Sequence, residues 1–140
     1  MDKVIGYTAG VFDLFHIGHL NILKKAKENC DFLIVAVSTD ELVQQYKNKT
    51  PVICFEERKA IVEAIKYVDM VVPQENRDKL SALEKYGFHK MFVGDDWKGS
   101  ELFNSLEDKF KQRGAEIVYF PYTNGTSSTF LKETLAKINK

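Results

Sequence analysis

Cysteine is scarce: Cys30 and Cys54 are the two in 140 residues, and their spacing is neither that of metal ligands nor that of a redox pair. A disulfide framework and a cysteine-based zinc site are excluded, and both thiols are expected to stay reduced in a reducing compartment. Net charge is missing as well, with 20 Lys and Arg against 20 Asp and Glu. That balance argues against nucleic acid as a partner, and any anion must be held by a few placed groups rather than a bulk field. No apolar segment nears the roughly 20 residues that span a bilayer. Met1-Asp2-Lys3 leads straight into a short strand-like run and not a signal peptide. The expectation is a soluble, cytoplasmic protein with no membrane partner. Repeats, low-complexity tracts and linkers are absent too, and the length suits one domain, 1–140, able to bury a real core.

What the chain does have is alternation. Val4–Thr8 reads as a first strand and His16–Asn29 as a helix with Leu20, Ile22, Leu23 and Ala26 for burial. Phe32–Ser38 is an almost unbroken apolar run, as expected of a strand covered on both faces. Thr39-Asp40-Glu41 opens a short helix through Gln45, and Lys47–Cys54, with Pro51, reads as a loop. Phe55–Lys66 has helical spacing with Ile61, Val62 and Ile65 inward; Val68–Val72 follows as a strand closed by Pro73. Asp78–Tyr86 is a helix stopped by Gly87, Lys90–Val93 a strand, and Ser100–Arg113 a helix stopped by Gly114. Glu116–Phe120 is the fifth strand, Pro121–Ser127 a loop and Ser128–Ile138 the last helix. Strands alternating with helices imply right-handed βαβ units, hence an α/β, Rossmann-like, doubly wound five-stranded parallel sheet with helices on both faces. Ligands of such sheets bind beyond the carboxyl ends of the strands.

Histidine is rare, three in all, and two of them stand three apart in Gly10-Val-Phe-Asp-Leu-Phe-His16-Ile-Gly18-His19. This stretch lies where the first strand turns into the first helix, so both imidazoles share one helix face. Helix-start N–H groups and the positive end of the dipole favour phosphate, and Gly10 and Gly18 let it approach the backbone. A structural role for two histidines is the bland alternative; the glycine between them and their place after the first strand favour function. His89, just before the fourth strand, reads as surface.

These residues resemble the His-x-Gly-His signature of the cytidylyltransferase branch of the nucleotidyltransferases, and the likeness runs from about Val4 to Thr134. It is nearest the small glycerol-3-phosphate type and implies strand order 3-2-1-4-5. It further implies transfer of CMP from CTP to a phosphorylated alcohol, with release of pyrophosphate. The acceptor phosphate is already ionised, so catalysis is positioning plus stabilisation of growing charge. Imidazoles suit that, as donors that can be cationic. The resemblance assigns His16 and His19 to the triphosphate, with Lys47 as a third catalytic group, and has Val11 and Phe12 present backbone to the nucleotide. Magnesium is expected through the triphosphate oxygens, with no protein ligand set, and Asp13 either as a more distant carboxylate or as a turn-stabilising one. A homodimer is implied, with Phe12, Phe15 and Phe55 near its contact.

Tyr122, Thr123, Gly125, Thr126, Ser127, Ser128 and Thr129 match a second signature, Arg-Thr-x-Gly-Ile-Ser-Thr-Thr, whose hydroxyls and N–H groups hold phosphates. Tyr122 stands in place of its arginine. Lys66 likewise replaces an arginine of the nucleotide site, keeping charge but losing the fork. Lys49 and Arg58 match substrate-binding positions, although a helix-surface ion pair is an alternative for Arg58. Asn76-Arg77 replaces an Asn-Trp, removing one pocket aromatic. Gly94-Asp95-Asp96-Trp97 matches the family's Gly-Asp-Asp-Trp, with Asp95 on the nucleoside and Asp96 and Trp97 on the acceptor; Trp97 as plain apolar cover is the rival. Two other readings stay open: an adenylyltransferase of the same superfamily, and a nucleotide-binding module without catalysis.

Overall fold

A computed structural model describes residues 3–121 and 133–137. Five parallel strands form one sheet in the order β3-β2-β1-β4-β5. They are β1 (Ile5–Gly10), β2 (Phe32–Ser38), β3 (Met70–Gln74), β4 (Lys90–Gly94) and β5 (Glu116–Phe120). Between them run α1 (Ile17–Glu28), α2 (Asp40–Lys47), α3 (Phe55–Glu63), α4 (Lys79–Tyr86) and α5 (Glu101–Gln112), and residues 133–137 are again helical.

The apolar run of β2 shows why both faces are covered. Leu33, Val35 and Val37 point to one side, where they meet Leu23 and Ala26 of α1 and Val62 of α3. Ile34 and Ala36 point to the other, with Leu83 of α4 and Phe103, Leu106 and Phe110 of α5. Period-two alternation thus feeds two cores at once. The helices are stopped as their sequences require. Thr39, Asp78 and Ser100 accept first-turn N–H bonds, and Gly87 closes α4 in the left-handed conformation, φ 63°.

Several expected bounds shift. β1 begins at Ile5 and runs on to Gly10; α2 continues to Lys47, and Asn48 (φ 52°) ends it; α3 stops at Glu63. The strand expected at Val68–Val72 lies at Met70–Gln74 with Pro73 inside it, opposite Val37. An edge strand needs no outward N–H bond, so proline is tolerated there. Ile61, expected inward, is exposed, and the inward places go to Val62 and, in part, Ile65. Phe12, expected near a subunit contact, is buried in the α1–α3 core, with Phe15 and Phe55 packed partly buried against it. No helix among the described residues is long and apolar enough to cross a membrane.

Candidate active site

The turn between β1 and α1 is built from backbone that residues of its type rarely adopt. Phe12 (φ 54°) and Leu14 (φ 51°) both sit in the left-handed region, a conformation that costs a non-glycine residue about 1 kcal/mol or more. Three contacts hold it. The Phe12 ring is buried in the core. The Asp13 carboxylate, also buried, accepts the Val52 N–H at 2.8 Å and the Ile53 N–H at 2.9 Å, tying the turn to the loop before α3. Val11 O accepts an N–H of Arg58 at 2.6 Å. Gly10 also serves this packing: a side chain there would meet the Phe12 ring at 3.1 Å.

The two histidines close α1 with a reciprocal cap. His16 Nδ1 accepts the Gly18 N–H at 3.0 Å, and His19 Nδ1 accepts the His16 N–H at 3.2 Å. Their rings lie 4.0 Å apart, centre to centre. The cap also places the His19 N–H on the His16 ring, so N–H groups that a helix start leaves open are taken up by the two rings. With Nδ1 as acceptor in both rings, the proton of each neutral imidazole sits on Nε2. Burial lowers the pKa of His16, and burial followed by the charge of His16 lowers that of His19 to about 4, with Asp13 opposing. Of the two forms open to an imidazole, these lowered values favour the uncharged one at neutral pH, which supplies Nε2–H donors.

A cavity of about 640 Å³ opens over this turn at the carboxyl end of the sheet. Val11, Phe12, His19, Lys47, Lys49, Arg77 and Trp97 all line it, so the structure brings these seven residues singled out from the sequence together. Trp97 is half exposed and stacks on Phe103 with centres 5.7 Å apart. Arg77 brings no aromatic itself, yet Tyr46, which the sequence reading passed over, lies under it at 4.5 Å.

Other expected residues fall elsewhere. His16 is partly buried beside His19, and Gly18 is buried in the first turn. Asp95 and Asp96 are exposed in a short 3-10 turn and are not on the wall among the described residues. Lys66 is exposed beyond the end of α3, its Nζ 5.3 Å from the Tyr67 ring, and away from the wall. Arg58 is the clearest correction, being neither on the surface nor on the wall. It is 1% exposed and donates to Ile53 O, Val11 O, Ser38 O and Asp40 Oδ1 at 2.6–2.8 Å. Four of its five N–H groups therefore bind the structure beneath the site, which makes it a tie between three loops. His89, though exposed, accepts the Ile5 N–H at 3.0 Å. Tyr122, Thr123, Gly125, Thr126, Ser127, Ser128 and Thr129 lie outside the described residues.

No group of three or more His, Cys, Asp or Glu gathers as a metal site among the described residues. Both oxygens of Asp13 already hold backbone N–H groups. The arrangement of neutral donors at a helix start, with loop cations facing them, can bind a phosphate chain and stabilise charge growing on it.

The cytidylyltransferase-like family model matches residues 7–134. The glycerol-3-phosphate cytidylyltransferase of Bacillus subtilis (strain 168) is 42% identical over 137 residues, 97% of this chain and 98% of that one. That of Staphylococcus aureus (strain NCTC 8325 / PS 47) is 40% identical over 136 residues, 96% of each. Among solved structures, the lipopolysaccharide core biosynthesis protein from Thermoplasma volcanium GSS1 superposes with a TM-score of 0.72 at 24% identity. The match covers 89% of this chain and 100% of that one, a likeness of fold.

Proposed function

Because the chain belongs to the cytidylyltransferase-like family, we propose that it transfers CMP from CTP to glycerol-3-phosphate, giving CDP-glycerol and pyrophosphate. What carries this reading is the near-full-length identity to glycerol-3-phosphate cytidylyltransferases, on a chain that has His19 on the cavity wall and His16 beside it. An oxygen of the acceptor phosphate attacks the α-phosphorus of CTP, and the bond from that phosphorus to the bridging oxygen breaks, so that pyrophosphate leaves with the electron pair. No proton needs to be removed from the nucleophile. His19 donates its Nε2–H to the oxygens on which charge grows, and His16 donates beside it. Being neutral and held from behind at Nδ1, the rings need no rearrangement when that charge appears. Lys47 and Lys49 bring positive charge from the end of α2 and the loop after it. Magnesium would be carried by the triphosphate rather than by a protein ligand set and would supply charge neutralisation there, in keeping with a cation that retains most of its water.

The reaction is that of a homodimer in the cytoplasm, where CTP is made. Light scattering should give twice the 16.1 kDa of one chain, and a single-chain mass at micromolar concentration would refute the dimer. A screen of nucleoside triphosphates against phosphorylated alcohols, read by pyrophosphate release, tests the activity. Turnover with CTP and glycerol-3-phosphate is expected. Turnover with ATP alone would establish the adenylyltransferase reading instead, and none with any pair would leave a binding module.

A further inference from the structure

The cavity has two chemically different sides. Toward β4 its wall is Trp97 stacked on Phe103, their planes 19° apart, a surface suited to a flat ring. Toward β2 and β3 it carries Tyr46, Lys47 and Lys49, from α2 and the loop after it, and Arg77, from the loop between β3 and α4. Of the nearby acids, Asp78 is occupied as the α4 cap, accepting from Leu80 and Ser81, and Glu75 is the other on that wall. The histidine pair stands between the two sides, at the end of the central strand β1.

Arg77 lies closer to the Tyr46 ring than Lys47, whose Nζ is 5.6 Å from the same ring centre. Its guanidinium carbon lies 4.5 Å from the centre of the Tyr46 ring. Its loop is fixed on the following side, where the Asp78 N–H donates to Asn76 Oδ1 at 2.9 Å and Lys79 Nζ reaches Arg77 O at 3.5 Å. Stacking occupies the face of a guanidinium and leaves the N–H groups around its edge. Such a fork gives two parallel bonds to one phosphate, and its ordering is done before the ligand arrives.

Resting on the function proposed above, we propose that Arg77 is the acceptor-specificity residue, binding the phosphate of the phosphorylated alcohol through its guanidinium edge. Tyr46 is its positioning residue. The nucleoside takes the Trp97 side, in place of the acceptor contact that the resemblance implies for Trp97, the triphosphate the histidine pair at the centre, and the second phosphorylated substrate the cationic side. A phosphomonoester is selected over the bare alcohol because only the phosphate fills the fork.

The test is steady-state kinetics on the whole protein, with CTP and glycerol-3-phosphate varied separately, for the unaltered chain and for Arg77→Ala, Arg77→Lys and Tyr46→Leu. Arg77→Ala should raise KM for glycerol-3-phosphate at least tenfold and leave KM for CTP within twofold. Arg77→Lys should recover only part of the loss. Tyr46→Leu should raise the acceptor KM severalfold with kcat little changed, a split that general loss of structure would not give. If the unaltered protein turns over and Arg77→Ala keeps its acceptor KM within twofold, or raises KM for CTP equally, this inference falls alone. If the unaltered protein does not turn over with CTP and glycerol-3-phosphate, the underlying reading falls and takes this one with it.

Discussion

The β1–α1 turn and the rim formed by α2 and the loop after β3 face one cavity and are built on opposite principles. In the turn the polar side chains are anchored: Asp13 to two backbone N–H groups, both histidines through Nδ1 to N–H groups of the helix start, and Arg58 to three carbonyls and Asp40. Its imidazoles are neutral at physiological pH. The rim carries full charges on exposed side chains, Lys47, Lys49 and Arg77, the last resting on the Tyr46 ring. The difference separates two tasks. Charge that develops for an instant on a phosphorus centre is best met by donors that do not move. Phosphates arriving from solvent are best met by charges that reach out to them.

The largest effect should come from cutting the tie beneath the turn. Arg58→Ala strands the Asp40 carboxylate and the carbonyls of Val11, Ser38 and Ile53. Breaking one partner of such a buried set costs about 3–5 kcal/mol, read as a lower urea midpoint of unfolding. A midpoint close to that of the unaltered protein would mean that the turn holds itself, and the comparison would lose its rigid half.

Next comes the separation of cap from catalysis. His16→Ser keeps a good helix cap, since serine is among the preferred residues there, and removes only the ring. Stability should stay nearly level, whereas kcat should fall by about a hundredfold, the loss of one oxyanion-type donor. His19→Ala should lower kcat by a similar factor. If either variant keeps kcat within threefold, the histidines are caps only.

Lys49→Ala probes the other half and should do less. It removes one exposed charge, worth about 1 kcal/mol or less, so KM for a phosphorylated substrate should rise up to about fivefold at low salt. The effect should shrink as salt is added, while the unfolding midpoint stays put. Salt-independent loss would place Lys49 among the tied groups instead.

The same contrast explains how much could be read from the sequence. The parallel sheet follows from Phe32–Ser38, because a strand apolar on both faces leaves helices on each side as its cover. The histidine pair was legible because its spacing and its glycine are side-chain facts. Arg58 was not: three of its four partners are backbone carbonyls, which any residue carries, so nothing in the sequence marks them. The left-handed Phe12 and Leu14 were hidden for a related reason, since neither type favours that backbone and only the surrounding ties enforce it. Pro73 looked like a strand terminator because the edge position that excuses it is a property of the whole sheet. The Tyr46–Arg77 stack joins elements brought together only by folding.

The smallest expected effect is an absence, and it bears most directly on how the turn works. His19 has its pKa lowered from 6.5 to about 4, by burial first and then by the charge of His16. A lowered histidine pKa means that, between those values, the unfolded chain binds a proton that the folded chain does not. The contribution of His19 to stability is therefore fully present above pH 6.5 and is lost as the pH falls toward 4. Kinetics would blur this, because a phosphomonoester acceptor takes up a proton of its own near pH 6. The ring protons can be followed directly by NMR in the free protein, with the His19 signal assigned by its disappearance in His19→Gln. Between about pH 5 and 8, where an ordinary imidazole would titrate completely, that signal should not move. An inflection near the ordinary value would mean a ring that takes its second proton on Nδ1 and gives up the His16 N–H. The cap would then open with pH, the donor would be cationic in part, and the turn would resemble the rim it is contrasted with.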